Sequence, residues 1–176
     1  MDASPKYTRT AMALHWLVAV LVFSLFGIGW YMVDLPQGPA RGEYFALHKS
    51  IGLCVLVLLA LRIAWRYRHR PPPLPQAVPA WQRVLAGLVH RAFYVALIVQ
   101  PMSGYLSSSF SGYSTRWFGL PLPQWGWKDA RLNELFTEIH VGCSIVIVVL
   151  VLTHVLGVVS HLLQGERGLL RRMLPW

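Results

Sequence analysis

Only 13% of the 176 residues are charged, 55% are hydrophobic and the mean hydropathy is +0.47, whereas a soluble domain carries about 25% charged residues. A net charge of +9 is compatible with nucleic-acid binding only if it forms a solvent-exposed basic face; here the cations sit between apolar runs, and no nucleic-acid partner is expected. Cys54 and Cys143 lie inside apolar runs and outside any Cys-x-x-Cys or Cys-x-x-Cys-His pattern, which argues against thioether-linked haem and iron–sulfur clusters and for two small core side chains.

Four apolar runs, near residues 11–33, 45–65, 84–106 and 136–163, each reach the roughly 20 residues that a helix needs to cross the hydrocarbon core. They predict an all-α membrane protein: four transmembrane helices in an up-down bundle, a single domain over 1–176, with no room for a soluble catalytic domain. The first helix, about 8–33, follows Lys6 and Arg9 but is long and lacks the small-residue exit of a signal peptide. It stops before the turn Asp34-Leu35-Pro36-Gln37-Gly38-Pro39. The second helix is expected over 44–67, and Pro71-Pro72-Pro73-Leu74-Pro75 reads as a stiff extended linker. The third, about 81–105, contains Pro101 in its last turns, a position that predicts a kink. Ser107–Trp127, rich in Ser, Gly, Pro and aromatics, reads as an ordered outer loop with Trp117, Phe118, Trp125 and Trp127 as interfacial anchors. The fourth helix, about 132–163, exceeds a minimal span and must tilt or project.

The charge distribution orients the bundle. Arg62, Arg66, Arg68, Arg70, Arg83 and Arg91 flank the second connection with no acidic residue among them; Lys6 and Arg9 precede the first run, and Arg167, Arg171 and Arg172 follow the last against Glu166. The other two connections are balanced in sign. The positive-inside rule then places both termini and the arginine-rich connection in the cytoplasm.

His140 and His154 stand fourteen residues apart in one apolar run, about 40° short of full register and about 21 Å apart along the axis. A histidine in lipid is costly unless it faces the bundle interior and finds a partner. Chain direction assigns depths: His15 inner, His48 outer, His140 outer, His154 inner. The depths match as His48 with His140 and His15 with His154, which suggests two stacked bis-imidazole centres. Haem iron fits because no carboxylate or thiolate cluster accompanies the imidazoles. A single membrane histidine is explained by a hydrogen bond to a neighbouring helix; four at matched depths are not. His90, on the inner half of the third helix, is an alternative to His15. His69 reads as a loop residue, and His161 as an interfacial residue with a quinone or proton site as the alternative. Gly52, one turn after His48, and Gly157, three residues after His154, suit either a macrocycle or close helix packing. Arg62 and Arg9 are candidates for haem propionates, Arg62 and Arg66 being equally explained as inside-positive charges. Lys49 is either an anion attractor at the outer site or a snorkelling lysine.

The run Tyr7-Thr8-Arg9-Thr10-Ala11-Met12-Ala13-Leu14-His15-Trp16-Leu17 resembles the opening of the bacterial cytochrome b561 family. Leu47-His48-Lys49-Ser50-Ile51-Gly52, Pro101-Met102-Ser103-Gly104-Tyr105, Trp117-Phe118-Gly119-Leu120, His140, His154 and Leu170-Arg171-Arg172-Met173-Leu174 extend the resemblance over nearly the whole chain. The resemblance implies a four-helix bundle with two b haems on His15, His48, His140 and His154, electron exchange with ubiquinone, and superoxide oxidation at the outer face. Two departures stand out: Val141 where many members carry Glu, and Ser160-His161 where many carry a histidine pair. The expected activity is that of a superoxide:ubiquinone oxidoreductase, with Lys49, Arg116, Lys128 and Arg131 drawing the anion to the outer centre. The alternatives are a membrane anchor passing electrons from a periplasmic dehydrogenase or hydrogenase to quinone, and a transporter or structural protein with packed histidines.

Overall fold

In a computed structural model, residues 6–73 and 78–174 are described. Leu74 and Pro75 of the expected extended linker lie outside them. Four helices long and apolar enough to cross a membrane are present: α1 (Arg9–Asp34), α2 (Pro39–Arg68), α3 (Ala80–Ser111) and α4 (Ala130–Leu163). A two-stranded hairpin, β1 (Arg116–Trp117) and β2 (Leu120–Pro121), joins α3 to α4, and a short α5 (Arg167–Arg171) follows.

Local chemistry explains the helix starts. Thr8 caps α1 by accepting from the Ala11 amide at 3.2 Å, and Trp65 Nε1 donates to the same hydroxyl at 2.8 Å. Asp129 caps α4 by accepting from the Arg131 and Leu132 amides. Two boundaries differ from the sequence expectation. Helix α2 begins at Pro39 rather than at 44, because a proline at the first helical position has its φ preset and lacks only an amide that would be orphaned there anyway. Helix α3 runs on to Ser111 rather than stopping at 105. Serines are weak helix formers unless their hydroxyls are satisfied, and those of Ser107, Ser108 and Ser111 are, while the Ser109 hydroxyl is buried without a partner among the described residues. The Ser107 hydroxyl pairs with Thr137 at 2.7 Å and Asn133 donates to the Ser107 carbonyl. Lys49 donates to Ser108 at 2.7 Å. Helix α3 is continuous through Pro101 and ends at Gly112, whose φ of 85° favours glycine.

The helices pack as α1 on α2, α2 on α3 and α3 on α4, whereas no Cα of α1 comes within 8 Å of α4. The bundle is therefore open between its first and last helices. Its fully buried apolar side chains include Leu59, Ile147 and Val55. Ile147 lies seven residues from each α4 histidine, so an apolar layer divides the bundle at mid-depth. At one end of the bundle the hairpin turns through Phe118 and Gly119, both with positive φ, as a tight primed turn requires. It is pinned to α2 by the Phe118 amide donating to Ser50 Oγ at 3.0 Å. Trp117 does not project as an anchor: it is half-buried with Nε1 inside, while Phe118, Trp125 and Trp127 are exposed. At the other end, the Tyr7 amide donates to the Arg172 carbonyl, Trp16 Nε1 to the Met173 carbonyl, and Arg172 to the Pro73 carbonyl. The N-terminal lead, the C-terminal tail and the α2–α3 connection thus meet on one face.

Candidate functional site

The open side of the bundle is bridged by imidazoles. His48 on α2 faces His140 on α4 with ring centres 6.1 Å apart and planes at 72°. His15 on α1 faces His154 on α4 at 6.3 Å and 68°. An iron held by two imidazole nitrogens at about 2.0 Å, each about 1.1 Å from its ring centre, sets the ring centres about 6.2 Å apart. Both pairs fit that span. Among the described residues no group of three or more His, Cys, Asp or Glu could hold a metal ion by itself. A centre here has to bring its own equatorial ligands, as a porphyrin does.

The outer pair is oriented by the neighbouring helices. His140 Nδ1 donates to the Gln100 carbonyl at 2.8 Å, which leaves the lone pair on Nε2, the nitrogen needed by a metal. The Gln100 side-chain nitrogen lies 3.1 Å from that Nε2 and donates to it, a contact that has to open before a metal can take the lone pair. Ser103, buried one turn beyond Gln100, donates to the same carbonyl at 2.9 Å. The inner pair has a third imidazole beside it: His90 lies 5.4 Å from His154, with its Nδ1 donating to its own helix at Ala86, 2.6 Å away. At 5.4 Å the His90 ring stands closer to His154 than an iron bridge allows, and it is exposed. Phe93 packs edge-on against His154 at 5.9 Å.

The remaining candidates divide by location. Arg62 Nη1 donates to the Ala11 carbonyl at 3.1 Å, one turn before His15. Arg66 lies over the Tyr94 ring. The two guanidinium groups wall a small pocket with Tyr7, Trp65 and Tyr94 at the same end of the bundle. Arg9 is exposed in the first turn of α1 and is not brought to the imidazoles by any contact among the described residues. Lys49 is half-buried and tethered to Ser108, which also accepts from Thr115. His69 stacks on Trp65 at 4.0 Å, and His161 Nδ1 meets the Glu166 carboxylate at 2.8 Å. A Cβ built on Gly52 or Gly157 meets nothing within 4 Å, so neither glycine serves close helix packing.

Sequence reasoning missed the groups lying level with the histidines on other helices: Gln100, Ser103, Gly29 and Gly104. The depth argument used for the histidines, applied to every polar residue and glycine, brings them to the same level.

Residues 6–176 match the model of the prokaryotic cytochrome b561 family. The chain is 32% identical to cytochrome b561 homolog 2 of Escherichia coli (strain K12), over 96% of this chain and 91% of that protein. It is 24% identical to cytochrome b561 homolog 1 of the same organism, over 96% and 97%. It is 28% identical to the probable superoxide oxidase CybB of Yersinia pestis, over 97% and 96%.

Proposed function

Because the chain belongs to the prokaryotic cytochrome b561 family, multi-pass bacterial membrane proteins that bind b-type haem and transfer electrons, we propose that it holds two b haems and works as a superoxide:ubiquinone oxidoreductase. His48 and His140 would hold the outer haem, His15 and His154 the inner. The observation that carries this reading is the pair of ring separations, 6.1 and 6.3 Å, across helices that otherwise stand apart. A bis-imidazole haem, when bound, supplies a one-electron carrier that changes oxidation state with little rearrangement.

The chain's own residues account for the rest. Gln100 sets the His140 tautomer. The layer of Ile147, Val55 and Leu59 keeps water from running between the two levels. Arg62, the deeper arginine, suits a propionate of the inner group, and the open space at Gly52 suits the face of the outer one. Lys49, Arg116, Lys128 and Arg131 are the cations available at the outer end to draw an anionic substrate, within connections that are balanced in sign. The net reaction balances: two superoxide anions lose one electron each to become dioxygen, and one ubiquinone gains two electrons and two protons to become ubiquinol. The name of the Yersinia relative supports the substrate. The shared face of Tyr7, Arg172 and Pro73, with the arginine-rich connection, is assigned to the cytoplasm of the inner membrane.

The test is a haem count and a reduced-minus-oxidised spectrum of purified protein, followed by exposure to a steady superoxide source. Two haems per chain, reduced faster than spontaneous dismutation consumes superoxide, are expected. His48→Ala and His140→Ala each abolish that fast reduction. A single haem, or reduction no faster in wild type than in either variant, overturns the proposal. A second reading, a membrane anchor for a periplasmic dehydrogenase or hydrogenase, is favoured by the exposed Phe118, Leu120, Trp125 and Trp127 around the outer loop. Co-purification of a redox partner that donates electrons to the haems would select it.

A further inference from the structure

Two glycines sit where the outer imidazoles touch their neighbouring helices, and each has the same relation to a backbone carbonyl. A Cβ on Gly104 of α3 would lie 3.0 Å from both Cε1 and Nδ1 of His140. A Cβ on Gly29 of α1 would lie 3.3 Å from Cε1 and 3.7 Å from Nδ1 of His48. Four residues before Gly104 is Gln100, whose carbonyl accepts from His140 Nδ1 at 2.8 Å. Four residues before Gly29 is Leu25, whose carbonyl stands in the same place relative to its glycine as that of Gln100 does to Gly104. The His48 Nδ1 is buried and closes no hydrogen bond of ordinary geometry. In a helix the carbonyl of residue i points toward residue i+4, so a side chain at i+4 shields it. Glycine at i+4 leaves it open to a donor from another helix.

We infer that Gly29 and Gly104 are a matched pair of positioning residues that let the outer imidazoles turn Nδ1 toward the Leu25 and Gln100 carbonyls and present Nε2 to the interior. The inference rests on the proposed ligand roles of His48 and His140. A histidine that ligates a metal almost always donates its other N–H to a second group, which fixes the tautomer and raises ligand basicity. Here a carbonyl bared by a missing side chain takes that place for His140, and the same glycine spacing offers one to His48. Among the described residues no Cβ built on a glycine comes within 4 Å of His15 or His154, so the two centres differ in this respect.

Methyl groups at these positions therefore act on one centre and not the other. In Gly104→Ala the His140 ring has to retreat, and its bond to Gln100 lengthens or breaks. The outer imidazole becomes a weaker donor, so the midpoint potential of the outer haem rises and its low-spin electron paramagnetic resonance signal moves. The inner signal stays in place and reports a folded protein. Gly29→Ala shifts the same signal by less, since its contact is looser. Gly27→Ala and Gly87→Ala, on the same two helices with nothing within 4 Å of the added carbon, are the controls and leave both centres as in wild type. The nitrogen-15 imidazole spectrum of the full chain before haem is added supplies an independent readout: one His140 tautomer with Nδ1 protonated in wild type, a mixture in Gly104→Ala. Unchanged outer potential, resonance signal and tautomer in Gly104→Ala overturn the inference. Wild-type protein that takes up no haem overturns the ligand reading instead, and the tautomer measurement separates the two.

Discussion

Replacing His90 by alanine separates the two imidazoles that flank His154. The ring centre of His15 stands 6.3 Å from that of His154, within about 0.1 Å of the separation that an iron–nitrogen bridge requires. The His90 ring stands at 5.4 Å, so it would have to retreat by about 0.8 Å to share an iron with His154, and its 2.6 Å bond to the Ala86 carbonyl opposes that movement. His90→Ala removes one hydrogen bond to the backbone of its own helix, a loss of about 1 kcal/mol, which lowers the thermal midpoint by about 2–4 °C for a chain of this size. It leaves two haems per chain. On the proposed ligation, His15→Ala removes an axial ligand and is expected to leave one. The assay is haem content per polypeptide by alkaline pyridine spectrum, with the reduced-minus-oxidised spectrum recorded on the same sample. One haem in His90→Ala together with two in His15→Ala would refute the argument from ring separation and hand the inner site to His90.

Three further outcomes follow from contacts at the outer end and the C-terminal face. Lys49→Met keeps both haems but slows superoxide-driven reduction and flattens its dependence on ionic strength, checked by stopped-flow at two salt concentrations, because the cation beside His48 is gone. Gly126→Ala drives a Cβ into the Phe110 ring, which is itself held between Trp127 and Phe136; about 1–3 kcal/mol of overpacking is expected as a lowered midpoint in detergent, with the haem spectrum unchanged. Arg172→Ala strips a buried guanidinium from the Pro73 carbonyl at 2.9 Å, a charge-assisted bond of about 1.5–3 kcal/mol, and is read as faster proteolysis of the α2–α3 connection.

Hydropathy and the rise of a helix are one-dimensional quantities, and what depends on them alone was legible before any coordinates. Four spans and the spacing of the histidines along them follow from run length and from 1.5 Å per residue, and the placement of arginines is what the proposed orientation rests on. Lateral relations were not legible, because they depend on how each helix is rotated and what stands beside it. The α3 extension through Ser107–Ser111 is held by Thr137 and Asn133 at Ser107 and by Lys49 at Ser108. Trp117 turns inward because its hairpin is pinned at Ser50, so it does not anchor as its composition suggested. His15 and His90 occupy the same half of the membrane, and only their measured distances from His154 tell them apart. The glycines marked in sequence, Gly52 and Gly157, face open space, whereas Gly29 and Gly104 carry the contacts with the histidines. Depth is set by counting along one chain; contact is set by two helix faces meeting, and that needed the folded bundle.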